Sequence, residues 1–147
     1  MKQLHLRNSQ RVRKLPIDSL RRAALTLLES LLKLDSYDLA FHFIPPRRMA
    51  ALNRQFLNHE GSTDVITFDY REGYGAEADC AGEIFISVAD AVAQSGEFHR
   101  PWQEEILRYM VHGVLHLRGY DDLEPAARRT MKAAENRLLK RVVTALD

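Results

Sequence analysis

The run His112-Gly113-Val114-Leu115-His116-Leu117-Arg118-Gly119-Tyr120-Asp121-Asp122 constrains this chain more than any other stretch. Its first half continues a helix-compatible pattern that starts at Trp102, in which Ile106, Tyr109, Met110, Gly113, Val114 and Leu117 trace a broad apolar face. A helix with so wide an apolar face is largely buried, so the remaining elements must be laid over it. His112 and His116 are four residues apart, and at about 100° per residue they leave the same side of that helix, at the edge of the core. Gly119 then offers the positive φ that a helix C-terminus requires, and the reversal it permits swings Asp121 or Asp122 back toward the histidines. The histidine spacing alone is a weak motif in a chain with six histidines; the glycine stop and the acidic pair turn it into a candidate metal site. Gly113 occupies the place where the H-E-x-x-H of a zinc protease carries its general base, which argues against that chemistry.

The rest of the chain alternates strand and helix. Leu4 and Leu6 alternate with polar neighbours as in an edge strand, and a first amphipathic helix follows Pro16 to about Lys33, with Asp18 and Ser19 available as caps. A strand is predicted over 38–44, where Leu39, Phe41 and Phe43 alternate with Asp38, Ala40 and His42; Pro45 and Pro46 end it. A helix over 46–57 carries Met49, Leu52 and Phe56 on one face. Residues 58–62 read as a turn, 63–70 and 81–88 as strands joined by an exposed loop, and 90–98 as a short helix. After Pro125 a last helix runs to about Leu146, with Ala127, Met131, Ala134, Leu138, Val142 and Ala145 inward and Arg128, Arg129, Lys132, Lys140 and Arg141 outward. Two consecutive strands without a helix between them favour an antiparallel pair, whereas the earlier strand–helix alternation favours parallel crossovers. The expected fold is therefore α/β (α+β): a mixed, roughly four-stranded sheet packed with about five helices, in a single domain over 1–147.

The formal charge of +1 supplies no global field for nucleic acid, so any such contact must come from local basic patches. The single Cys80 forms no intrachain bridge, and no apolar stretch has signal-peptide or membrane-spanning length. These features predict a soluble, cytoplasmic protein with no membrane partner. His42 reads as a strand residue facing solvent or a partner.

Three blocks, STDVITFDY, AGEIFIS and HGVLHLRGYDD, in that order, resemble the YbeY family of bacterial metal-dependent endoribonucleases of ribosomal RNA maturation. The resemblance implies an α/β sandwich with the metal site opening into a cleft. It also implies one zinc ion held by His112, His116 and Asp122, the last standing where the family's H-G-x-L-H-L-x-G-Y-D-H motif has its third histidine. Two imidazoles and a carboxylate make an acceptable open zinc site with harder character than three imidazoles. Asp122 and Asp121 each have an alternative role as a cap for the last helix. The implied activity is single-strand endoribonuclease action in late 16S rRNA 3′ end maturation and ribosome quality control, with ribosomal RNA and ribosomal particles as partners and no DNA. Arg47, Arg48 and Arg118 are candidates for holding substrate, with Arg128 and Arg129 beside them, each also an ordinary surface charge. Leu57 stands where the family carries an arginine, and Arg54, three residues earlier, is the candidate substitute. Glu83 and Asp64 are candidate catalytic carboxylates, and the general base is not identified. Two alternatives stand beside this: a ribosome-associated assembly factor whose metal braces the fold, and a metal hydrolase of another substrate.

Overall fold

The computed structural model describes residues 1–57, 63–71 and 78–146. Its elements are β1 (Lys2–Asn8), α1 (Ile17–Leu25), a π-helical segment (Thr26–Leu31), β2 (Tyr37–Ile44), α2 (Pro46–Leu57), β3 (Val65–Asp69), β4 (Cys80–Ser87), α3 (Val88–Glu97), α4 (Trp102–Leu117), α5 (Pro125–Val142) and a closing 3-10 turn (Val143–Leu146). The strands form one sheet in the order β1-β2-β4-β3, with β1, β2 and β4 parallel and β3 antiparallel to β4. The mixed, four-stranded sheet with five α-helices that the patterning predicts is the one observed, and β1 lies at its edge.

Strand alternation divides the sheet into two unlike faces. Leu39, Phe41 and Phe43 of β2 and Ile84 and Ile86 of β4 are fully buried in the main core, together with Leu20, Leu27 and Leu28 and with Ile106, Val114 and Leu115 of α4. On the opposite face α2 covers one end, where Met49 packs with Ile44, Ile66 and Phe85. The uncovered part of that face carries His5, Arg7, His42 and Glu83 around a shallow hollow.

The first helix departs from expectation at both ends. Pro16 is its N-cap and makes no side-chain cap bond, so Asp18 sits inside the first turn, where its charge complements the helix dipole, and neither it nor Ser19 caps the helix. Regular α geometry ends at Leu25, and the wider segment that follows is closed by Leu32 N bonding Leu27 O at 2.9 Å. Leu27 and Leu28 are adjacent yet both fully buried, which the widened turn accommodates. Lys33, with φ of 54°, stops it.

Helix α4 is buried almost all round and lies directly on β4. Gly113 makes that approach possible: a Cβ there would come within 2.7 Å of Ile84 Cγ2. Gly113→Ala is expected to destabilise the protein by about 1–3 kcal/mol through overpacking, read as a lower denaturant midpoint. Adding Ile84→Ala removes the clashing atoms, so the double variant should be less destabilised than the sum of the singles.

Candidate metal centre and its cleft

The last turns of α4 set the site. Tyr120 N bonds Leu115 O at 3.0 Å and Gly119 N bonds His116 O at 3.1 Å, a Schellman closure that requires the left-handed conformation Gly119 adopts at φ 100°. The chain reverses there and carries Asp122 back over the helix it has just left. His112 Nε2 and His116 Nε2 face each other at 3.1 Å, and Asp122 Oδ2 lies 3.9 Å from the first and 3.8 Å from the second. Two ligands held at zinc–nitrogen or zinc–oxygen distances with tetrahedral angles are about 3.3 Å apart, so this triangle fits one such ion after a small inward movement of the carboxylate. Among the described residues these three form the candidate metal-binding group.

The alternative role of the acidic pair is not the one the geometry displays. Glu124 occupies the N-cap position of α5, no side chain caps it, and Pro125 starts the helix. Asp121 Oδ1 accepts from Leu123 N at 3.2 Å in a local turn, while Asp122 offers its main-chain carbonyl to Arg128 Nε at 3.2 Å and leaves its carboxylate facing the histidines.

Behind His112 stands a group that sequence reasoning missed. Glu135 of α5 is 3% exposed, and its Oε1 is 2.7 Å from His112 Nδ1. Its other oxygen accepts from Arg108 Nη1 at 2.6 Å and Lys132 Nζ at 3.2 Å. An Nδ1–H donated to this carboxylate fixes the tautomer of His112 so that the Nε2 lone pair faces His116 and Asp122. Burial by itself would raise the Glu135 pKa, but the hydrogen bonds from His112 and Arg108 and the Lys132 charge outweigh it and hold the carboxyl at about 2. For His116, burial and then the neighbouring His112 lower the pKa, which keeps the ring in the neutral form that binds metals. The signal for Glu135 is visible in α5: it falls on the stripe of Met131, Ala134 and Leu138, and an acid set in an apolar stripe requires a buried cationic or hydrogen-bonding partner.

His112, Asp122 and Glu135 line a cleft of about 620 Å³ between α4, α5 and the start of β3. Asp64, Arg128 and Arg129 line it as well. The other candidates lie elsewhere. Glu83 is on the sheet face away from α4, where it meets His42 Nε2 at 2.6 Å and accepts from the Tyr70 hydroxyl at 2.7 Å. Arg47 and Arg48 border a separate hollow with Ser9 and Pro45. Arg118 donates to the Asp79 carbonyl on the surface. Arg54 is exposed in the last turn of α2, which ends at Leu57, itself 46% exposed.

Comparison with known proteins agrees with this arrangement. The family model described as Endoribonuclease YbeY matches residues 5–143. The Endoribonuclease YbeY of Bacteroides fragilis is 40% identical over 102 residues, which is 69% of this chain and 70% of that protein. The Phocaeicola vulgatus protein of the same name is 38% identical over 69% of this chain and 71% of its own length. The solution structure of TM1509 from Thermotoga maritima superposes with a TM-score of 0.67 at 22% identity, over 97% of this chain and 89% of that one, and shares the fold. With the family's histidine helix matched, its strand blocks in place and nearly the whole chain aligned, this protein belongs to the Endoribonuclease YbeY family.

Proposed function

We propose that this chain is a zinc-dependent endoribonuclease that cuts single-stranded RNA in the cytoplasm, acting on ribosomal RNA precursors near the 16S 3′ end and in ribosome quality control. The observation that carries the reading is the convergence of His112, His116 and Asp122 at one edge of a cleft that also presents Arg128 and Arg129. Family membership supports RNA as substrate. No helix among the described residues is long and apolar enough to cross a membrane.

The division of labour follows from the geometry. His112, His116 and Asp122 would hold the ion, leaving one position open to solvent. Bound there, zinc supplies Lewis acidity, which activates water at neutral pH and polarises a phosphoryl oxygen. Glu135 keeps His112 in its ligand tautomer, and Arg108, held by Glu135 and by Asn136 Oδ1 at 2.8 Å, is a brace rather than a substrate contact. Arg128 and Arg129 attract the RNA backbone toward the cleft.

Two measurements test this. Asp122→Ala should lose stoichiometric metal in elemental analysis of the purified protein; full metal retention would overturn its assignment as third ligand. Arg129→Ala should weaken RNA binding without altering metal content, with the log–log salt slope reduced by about 0.7 if one phosphate contact is lost. The exposed Leu57 favours a second reading, a ribosome-associated assembly factor with a bracing metal, because the family's arginine is replaced by a side chain that cannot bind phosphate. That reading expects binding to ribosomal particles that persists in a His112→Ala protein and no metal-dependent RNA cleavage.

A further inference from the structure

Tyr109 lies three residues before His112 on α4, on the same side of the helix, and lines the same cleft. It is 5% exposed, and its hydroxyl has no hydrogen-bond partner among the described residues. Buried phenol hydroxyls normally find a partner, so a bare one aimed into a cleft marks a position completed by a ligand. Burial, reinforced by the charges of Asp64, Glu105 and Asp90, pushes its pKa up, so at neutral pH it is a hydrogen-bond donor.

The surroundings of Tyr109 differ from those of the arginines. Val65, Phe98 and Met131 give the cleft apolar walls, and Asp64 adds a carboxylate that accepts from Val65 N at 2.8 Å and retains further acceptor capacity. Apolar walls with one donor and one acceptor suit a flat heteroaromatic ring recognised at its edge. They do not suit a phosphate, which needs the cationic side of the cleft.

We propose that Tyr109 is a specificity-determining residue: its hydroxyl donates to the edge of a nucleobase next to the scissile phosphodiester, seated among Val65, Phe98 and Met131, with Asp64 accepting from the base's amino or imino group. This rests on the endoribonuclease reading above. It assigns the cleft a base preference in addition to its attraction for the RNA backbone.

Tyr109→Phe removes the hydroxyl and leaves the walls, so metal content and denaturation midpoint should stay at the wild-type level. Zinc-loaded wild type and Tyr109→Phe are incubated with a random-sequence single-stranded RNA pool, and the cut ends are sequenced. The expected result is a base preference beside the cut in the wild type that falls about tenfold in the variant, through lower kcat/KM on preferred sequences and unchanged kcat/KM on the others. Identical base profiles from two active proteins overturn the proposal while leaving the nuclease intact. If neither protein cuts RNA, the nuclease reading fails, and the subsite is judged by NMR titration with the four nucleoside 5′-monophosphates. The wild type should then discriminate among the bases and the variant should not; equal binding of all four by the wild type overturns the proposal.

Discussion

Replacing His116 by alanine is expected to abolish stoichiometric metal binding and to lower metal-dependent RNA cleavage by at least about a thousandfold, equivalent to about 4 kcal/mol of barrier. The size follows from geometry. His116 Nε2 is 3.1 Å from His112 Nε2 and 3.8 Å from Asp122 Oδ2, so its removal leaves two donors and no enclosing triangle. His112→Ala should have the same effect on metal content, with an added cost because Glu135 loses a hydrogen-bond donor. The check is metal analysis beside single-turnover cleavage of a single-stranded RNA, with circular dichroism showing that the fold persists. Equal cleavage by wild type and both variants would mean that the activity comes from elsewhere.

The second large effect concerns Glu135. Glu135→Ala leaves Arg108 in a 14%-exposed position without its closest anion, and breaking such a pair from one side costs about 3–5 kcal/mol. Glu105, whose Oε1 is 3.5 Å from Arg108 Nε, compensates only in part. Glu135→Gln keeps the shape and an acceptor oxygen but loses the charge; it should fold and bind metal about 10–100-fold more weakly, the usual cost of losing a carboxylate behind a metal-binding histidine. Acidity reads the same interaction without mutation. Because the folded-state pKa of Glu135 lies at about 2, below its unfolded value, its stabilisation is complete above the ordinary carboxylate range and disappears as pH falls toward 2. Urea midpoints across that range should fall more steeply for wild type than for Glu135→Gln, and parallel curves would contradict the assignment.

The architecture was open to sequence reading because its elements are strongly periodic. Leu39, Phe41 and Phe43 alternate on β2, and the lack of a helix between β3 and β4 announces their antiparallel pairing. The π-helical segment was not legible, since Leu27, Leu28 and Leu31 satisfy an ordinary helical stripe equally well. At the centre, His112, His116 and the Gly119 reversal were visible as local pattern. Which acid faces the histidines depended on backbone geometry beyond Gly119, and only the resemblance singled out Asp122. Glu135 escaped because its partner His112 lies on another helix, and a sequence shows an acid in an apolar stripe without showing what it meets. Glu83 illustrates the converse: it lies in a family-like block, but strand alternation turns it to the sheet face away from α4.

The Schellman turn at Gly119 also bears on how metal is exchanged. His112, His116, Asp122 and Glu135 all belong to residues 112–135, on two helices and the turn between them, and no strand contributes a donor. The two helical arms can therefore open as a local unit while the sheet stays paired, and ion release can proceed through that partial opening without global unfolding. The residence time of the ion is then governed by how often α5 lifts from α4. Its clasp is the Arg108–Glu135–His112 chain, so the side chains that orient the ligand also time its release.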